Sequence, residues 1–394
     1  MAIKTAPLWL LALITFSGTL GMHIFIPALP FAARDLGASI GEMQLTVSLY
    51  ILGLGVGQLI YGPLSDRFGR RPTLMIGLVL YTVAGLAAAL APDAHALIAA
   101  RLFQALGGCA GQVLGRAIVR DNSTPEGAAK RLALLSLIVM VGPGAAPIVG
   151  GALASTLGWR SIFYALCVLG LCNLLFSWKL LPETGQAGLH TTAATLMRNY
   201  AQLIRSPAFL GYAIGGGCAS TALYAFIASA PFIFVNELHR PAYEVGVYLA
   251  CLILGGGLGM GLSSRLIGRV PIERLLIWAN TMSVSAACVL LAIVLTGHLS
   301  VAWIMVPMFV FTLGSGMGSP ASLTLAIGVD TRVIGSASGL YGFSQMLIGA
   351  ICTALVGLGR DPALAAATIL AVTGVIGQIA FRIAIRSPQG NTGS

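Results

Sequence analysis

Gly62-Pro63-Leu64-Ser65-Asp66-Arg67-Phe68-Gly69-Arg70-Arg71-Pro72 stands at the junction of two long apolar stretches, Met43–Leu64 and Thr73–Ala91. An apolar run of about 20 residues is enough to carry a helix through the hydrocarbon layer of a bilayer. Cations concentrate in the short loops on the cytoplasmic side of such helices. The stretch therefore reads as a tight cytoplasmic connection between two membrane-crossing helices. It holds three arginines and one acid, and Gly62 and Gly69 allow close packing and a sharp turn.

Composition agrees. Of the 394 residues, 57% are hydrophobic and only 9% charged, where soluble domains carry about a quarter charged residues. Mean hydropathy is +0.91. The net charge of +10 does not mark a nucleic-acid binder, because its cations lie in short loops between apolar runs rather than on one soluble face. The seven cysteines fall inside apolar runs without a C-x-x-C pair, so they read as small buried hydrophobes rather than metal ligands or disulfides. No metal and no cofactor is expected.

Apolar runs of membrane length fall at residues 8–28, 43–64, 73–91, 96–118, 132–156, 161–181, 208–235, 244–266, 275–296, 301–326, 334–358 and 364–385, numbered here as spans 1 to 12. The first is too long for a signal peptide's apolar core and is read as a retained span. One long polar interval, Pro182–Pro207, divides six spans from six and reads as a cytoplasmic linker carrying Glu183, His190, Arg198 and Arg205. The expected organisation is a six-helix bundle over 1–181, the linker over 182–207 and a second bundle over 208–394. With both termini inside, seventeen of the 22 cations lie on the inner side or at inner span ends. Four lie outside, and Arg101 lies within span 4. That bias supports twelve spans with cytoplasmic termini. The halves also echo one another: Glu42, Gly53, Gly55, Gly57 and Arg67 recur 202 residues later as Glu244, Gly255, Gly257, Gly259 and Arg269. Internal duplication about a linker is a mark of rocking transporters whose site lies between repeats.

The loop between spans 2 and 3 resembles the corresponding loop of major facilitator superfamily transporters at each defining position. The resemblance implies an all-α integral membrane protein of twelve helices in two pseudo-symmetric six-helix halves. It also implies a conformational latch built from Gly62, Asp66, Arg67, Gly69, Arg70 and Arg71, with Asp121 at the inner end of span 4 available to the same network. Topology signalling by the arginines is the simpler alternative.

Arg101 lies about five residues into span 4, in Arg101-Leu-Phe-Gln104-Ala-Leu-Gly107. A cation at such depth is costly unless paired or facing water and marks function by default; snorkelling to the interface is the alternative. The spacing resembles the span-4 motif that the superfamily ties to proton coupling. His23, in Gly21-Met-His23-Ile-Phe25-Ile-Pro27-Ala-Leu-Pro30, lies at a similar depth in span 1. Here the chain resembles the bicyclomycin-resistance (Bcr/CflA) group of twelve-span drug:proton antiporters. The likeness is carried by Ile26-Pro27-Ala-Leu-Pro30, Gly57-Gln58-Leu-Ile-Tyr61-Gly62-Pro-Leu-Ser-Asp66, Arg116-Ala-Ile-Val-Arg120-Asp121 and Ala230-Pro231-Phe232. In that group an Asp usually stands where this chain has His23, and none of the twelve acids lies mid-span. Histidine can carry a proton near neutrality, or can simply bond a backbone carbonyl. His23, Arg101 and then Glu42 are the proton-coupling candidates.

Span 5 holds Gly142-Pro143-Gly144-Ala-Ala-Pro147-Ile-Val-Gly150-Gly151. Gly142, Pro143, Pro147, Gly150 and Gly151 resemble the superfamily's antiporter motif, against generic tight packing with proline kinks. Phe25, Tyr50, Gln104, Tyr224, Phe226, Tyr341 and Gln345 lie in spans that line the cavity in this superfamily and are the substrate-binding candidates. The expected function is proton-coupled export of small amphiphilic, neutral or weakly charged compounds by a monomer in the inner (plasma) membrane, of the multidrug-efflux, antibiotic-resistance type. Its partners would be substrate, protons and the bilayer, without nucleic acid. Export of a sugar, amino-acid or other metabolite stays open, because His23 changes the charge of the pocket. A multispan membrane enzyme would need clustered acids or histidines in one loop, and the loops hold no Asp-Asp pair or His-x-x-His. A nucleotide-driven pump would need a phosphate-binding glycine loop, which the sequence lacks.

Overall fold

The computed structural model describes residues 6–123, 125–184, 193–330 and 333–387. It consists of helices, with no β-strand among the described residues. Eleven helices of the described residues are long and apolar enough to cross a membrane. The remaining expected span, span 5, lies in the 32-residue helix Pro125–Thr156, whose side chains are described only in part.

Most helices run past the apolar runs that signalled them, because polar residues cap their ends. Span 2 is the helix Ile40–Phe68, started by a capping box in which the side chains and backbones of Ser39 and Glu42 bond reciprocally. Asp93 caps span 4 (Ala94–Asp121), Ser206 caps span 7, Ser300 caps span 10 (Val301–Gly328) and Asp361 caps span 12 (Pro362–Arg386). Each satisfies a backbone N–H that the helix leaves open.

Two expected single helices are broken. Span 1 is helical over Leu8–His23, turns at residues 24–25, passes through the 3-10 segment Ile26–Ala28 and resumes as Leu29–Leu36. Pro27 has no N–H to return to the His23 carbonyl and Pro30 none for Ile26, so the α-helical ladder cannot continue there. Span 7 is helical over Pro207–Ser220 and Leu223–Pro231, then widens to a π-helical turn over Phe232–Glu237. At its break the Thr221 hydroxyl donates to the carbonyls of Gly217 and Gln345 (2.8 and 2.7 Å), a side-chain bond that competes with the helix ladder. Within the interval read as linker, residues 193–204 form a helix, and residues 185–192, His190 among them, lie outside the described residues.

The chain divides into two compact units, residues 1–192 with 242–247, and residues 193–241 with 248–394. In the first, span 4 is the hub, and its small residues let three helices approach closely. A Cβ on Gly107 would lie 2.4 Å from the Tyr81 backbone nitrogen of span 3, and one on Gly111 would lie 2.4 Å from the Ile14 carbonyl of span 1. A Cβ on Gly57 of span 2 would lie 2.6 Å from that of Cys109. Membrane helices associate largely through such close van der Waals contact. In the second unit Phe209, Tyr212, Tyr341 and Phe381 form the aromatic part of a buried cluster at spans 7, 11 and 12.

Candidate functional site

Arg101 is fully buried in the first unit. Its Nη1 donates to Oε1 of Gln104, one helical turn on, at 2.7 Å. The guanidinium carbon sits 3.9 Å from the centroid of the Tyr50 ring, 5.5 Å from Phe25 and 5.6 Å from Phe163. Cation–π attraction is strongest where water is excluded, so the rings of spans 1, 2 and 6 replace part of the lost hydration. They do not replace it all, because Nε and Nη2 of Arg101 and Nε2 of Gln104 have no protein partner. The Tyr50 hydroxyl donates to the Gly18 carbonyl (2.9 Å) and that of Tyr81 to Ser17 (3.2 Å), while Asn173 Nδ2 donates to Ser17 Oγ (2.6 Å). Snorkelling is overturned by this burial: Arg101 is enclosed rather than extended to an interface. The structure thus gathers Arg101, Gln104, Tyr50 and Phe25 into one site. Phe163 of span 6 joins it, and Asn173 of the same span is tied to Ser17 of span 1; one further phenylalanine and one asparagine in an apolar run gave no local sign of this.

His23 is buried at the break in span 1, with Nδ1 2.9 Å from the Thr19 carbonyl. A carbonyl only accepts, so Nδ1 carries the hydrogen and Nε2 is the atom to which a second proton would add. Span 5 packs against the same corner. A Cβ on Gly150 would lie 1.7 Å from the Ile24 carbonyl oxygen and one on Gly142 2.7 Å from the Phe16 ring. Pro143 and Pro147 lie inside that helix, and Gly151 is buried beside Gly150. These contacts, made inside the first unit, bring the motif of span 5 and the histidine of span 1 to one corner. Glu42 has the local task of closing the Ser39 capping box, accepting from the Ser39 N–H and hydroxyl at 2.8 and 2.7 Å.

At the loop between spans 2 and 3 Arg70 bridges two acids, Asp66 at 2.7 Å and Asp121 at 3.0 Å. Arg71 donates to the Trp178 carbonyl (2.7 Å), and the Arg67 guanidinium lies over the Phe68 ring at 5.1 Å. The N-terminus of span 3 is capped by Glu183, whose two oxygens accept from the N–H groups of Arg70 (2.9 Å) and Arg71 (3.2 Å). A carboxylate is favoured there by the open N–H groups and the helix dipole. Gly69 has φ of +95°, so the backbone requires glycine there, and a Cβ on it would lie 2.8 Å from Glu183 Oε2 and push that cap aside. Gly62 meets nothing within 4 Å, so the close packing expected there is not what it provides. Glu183, read only as part of the linker, belongs to this network.

The family model described as Major Facilitator Superfamily matches residues 11–353. The chain belongs to the major facilitator superfamily. Among curated relatives it is 33% identical to the "Uncharacterized MFS-type transporter YdgK" of Bacillus subtilis (strain 168), over 96% of this chain and 95% of that one. It is 30% identical to multidrug resistance protein D of Escherichia coli (strain K12), over 88% and 87%, and 25% identical to the bicyclomycin resistance protein homolog of Haemophilus influenzae, over 85% of each. Among solved structures it matches a D-xylose-proton symporter with a TM-score of 0.76 at 14% identity, covering 95% of this chain and 96% of that one. The protein is a multi-pass membrane transporter with the major facilitator fold.

In this major facilitator protein the second unit carries a neutral polar cluster. Ser322 Oγ and Tyr341 Oη share a hydrogen bond of 2.6 Å, and Gln345 Nε2 donates to Tyr341 Oη (3.1 Å) and Ser220 Oγ (2.9 Å). Tyr341 and Gln345 therefore meet at spans 7, 10 and 11. Tyr224 packs near Gly349, and Phe226 is buried in the same unit. Ser220 and Ser322, partners the sequence did not single out, complete the cluster.

Proposed function

We propose that the protein is a proton-coupled exporter of small amphiphilic compounds, of the drug-efflux type, working by alternating access. It acts as a monomer in the cell's inner (plasma) membrane, with both termini cytoplasmic. The observation that carries this reading is the buried Arg101–Gln104 pair held among three aromatic rings. An apolar site with a few fixed polar groups suits an amphiphile. The names of relatives, multidrug resistance protein D and the bicyclomycin resistance homolog, support the same class. His23 is the proton carrier in this reading, since it is buried at the break in span 1 and its Nε2 can take up a second proton where no carboxylate stands mid-span, and Arg70 with its acids is the inner latch. In the test, everted vesicles containing the protein are energised to an acid interior and given a fluorescent amphiphile. Accumulation abolished by an ionophore is expected. Accumulation that survives collapse of the proton gradient removes proton coupling.

A further inference from the structure

The guanidinium of Arg101 keeps its charge at any physiological pH, yet no ion pair of the described residues includes it. The acids of residues 1–184 whose side chains are described all act elsewhere, at helix ends. Asp35 pairs with Arg160, Glu42 closes its capping box, Asp66 and Asp121 hold Arg70, Asp93 caps span 4 and Glu183 caps span 3. A buried charge without a counter-charge is strongly unfavourable. The two unpartnered nitrogens, Nε and Nη2, form the side-on edge of the guanidinium, whose parallel N–H bonds fit the two oxygens of a carboxylate. Gln104 Nε2 adds a third unpartnered donor on the residue already tied to Nη1. Donors are in excess and acceptors are lacking, around a fixed positive charge with aromatic walls.

We propose that this edge receives the carboxylate of the transported amphiphile, so that the substrates carry an anionic head on an apolar body; this rests on the exporter reading above. Arg101 binds the carboxylate bidentately, Gln104 supplies a further hydrogen bond, and Tyr50, Phe25 and Phe163 keep water from the pair. Because the edge is closed off here, the ligand enters in another conformer of the transport cycle. Expulsion of an anion is also favoured by an interior-negative membrane potential, so the charge chosen by Arg101 suits an exporter.

The test titrates the purified full chain with 1-naphthylacetate, the neutral 1-naphthylacetamide and the cationic 1-naphthylmethylammonium. The carboxylate is expected to bind at least about tenfold tighter than the amide, with the ammonium weakest. Arg101→Lys, which keeps the charge but not the fork, should lose about tenfold for the carboxylate alone, and Arg101→Gln should erase the preference. Equal affinity for acid and amide, preference for the ammonium, binding of none of the three, or a carboxylate preference that survives Arg101→Gln overturns the assignment. Displacement by inorganic phosphate or chloride at concentrations similar to that of the carboxylate makes this an inorganic-anion site and overturns it too. If Arg101→Gln fails to fold, the wild-type selectivity and Arg101→Lys decide. Gradient-driven accumulation of the same probes in everted vesicles separates the two readings. Export without carboxylate preference sinks this inference alone, and carboxylate-selective binding without accumulation of any probe sinks the exporter reading alone.

Discussion

Spans 4 and 10 occupy corresponding places in their units and differ in what they carry. Gly53 of span 2 faces Leu102 and Ala105 of span 4, and Gly255 of span 8 faces Phe309 and Thr312 of span 10. Gly107 approaches Gly77 and Tyr81 of span 3, and Gly314 approaches Ala279 and Ser283 of span 9. The partner helices correspond at an offset of 202 residues and the hub helices at 207, since 107 maps to 314 and 105 to 312. At that offset Arg101 corresponds to Met308 and Gln104 to Phe311, both buried. Packing is therefore duplicated and charge is not. Small residues and backbone contacts set how helices approach, and a single apolar position is free to become an arginine once ring faces surround it. The second unit answers with hydroxyls and one amide, Ser220, Ser322, Tyr341 and Gln345, which need no counter-ion.

The comparison breaks most visibly at the shared glycines. Gly107→Leu and Gly314→Leu should each cost about 3 kcal/mol or more, because backbone or a buried hydroxyl lies within 3 Å of the new Cβ. The readout is the melting temperature and the yield of monodisperse protein. Tolerance of one substitution and not the other would end the claim of equivalent packing. Exchange of the unlike pair comes next. Met308→Arg should lose about 2.5–3.5 kcal/mol by burying a cation without partners, whereas Arg101→Met should leave the melting temperature unchanged or raised and reduce transport to background. A stable Met308→Arg protein would show that the second unit also tolerates a buried cation.

The network at the loop between spans 2 and 3 sharpens the comparison more gently. Asp66→Asn and Glu183→Gln should each change stability by less than about 1 kcal/mol, as partly exposed ion pairs and caps do, while slowing transport about tenfold as a latch would. Normal transport in both would reduce the loop to a topology signal. His23→Gln should keep substrate binding and remove the dependence of the transport rate on pH, because an amide cannot take up the proton that an imidazole can; an unaltered profile moves the proton elsewhere. The smallest effect is expected for Tyr341→Phe, which removes an O–H from the neutral cluster and should cost about 1 kcal/mol without changing the pH profile. A changed profile would give the second unit a part in coupling.

The spans were legible because a membrane helix announces itself locally, by about 20 consecutive apolar residues with cations at one end. Arg101 was legible for the same reason, since a cation inside an apolar run stands out without any knowledge of its neighbours. The break in span 1 was less so: Pro27 and Pro30 were in view, but an apolar run of membrane length masked the missing carbonyl partners.

Determined by the sequence alone, then, were the membrane-length helices, the cation-rich loop between spans 2 and 3 and the placing of one charge in span 4. Only tertiary structure decided that Glu183 caps span 3 across a hundred residues, and that Gly150 receives the Ile24 carbonyl. It alone surrounded Arg101 with rings from three other spans and left its side-on edge without a carboxylate. Hydropathy is a property of contiguous residues. The partner of a buried charge is set by which helix faces meet, and small residues permit many such meetings before packing selects one.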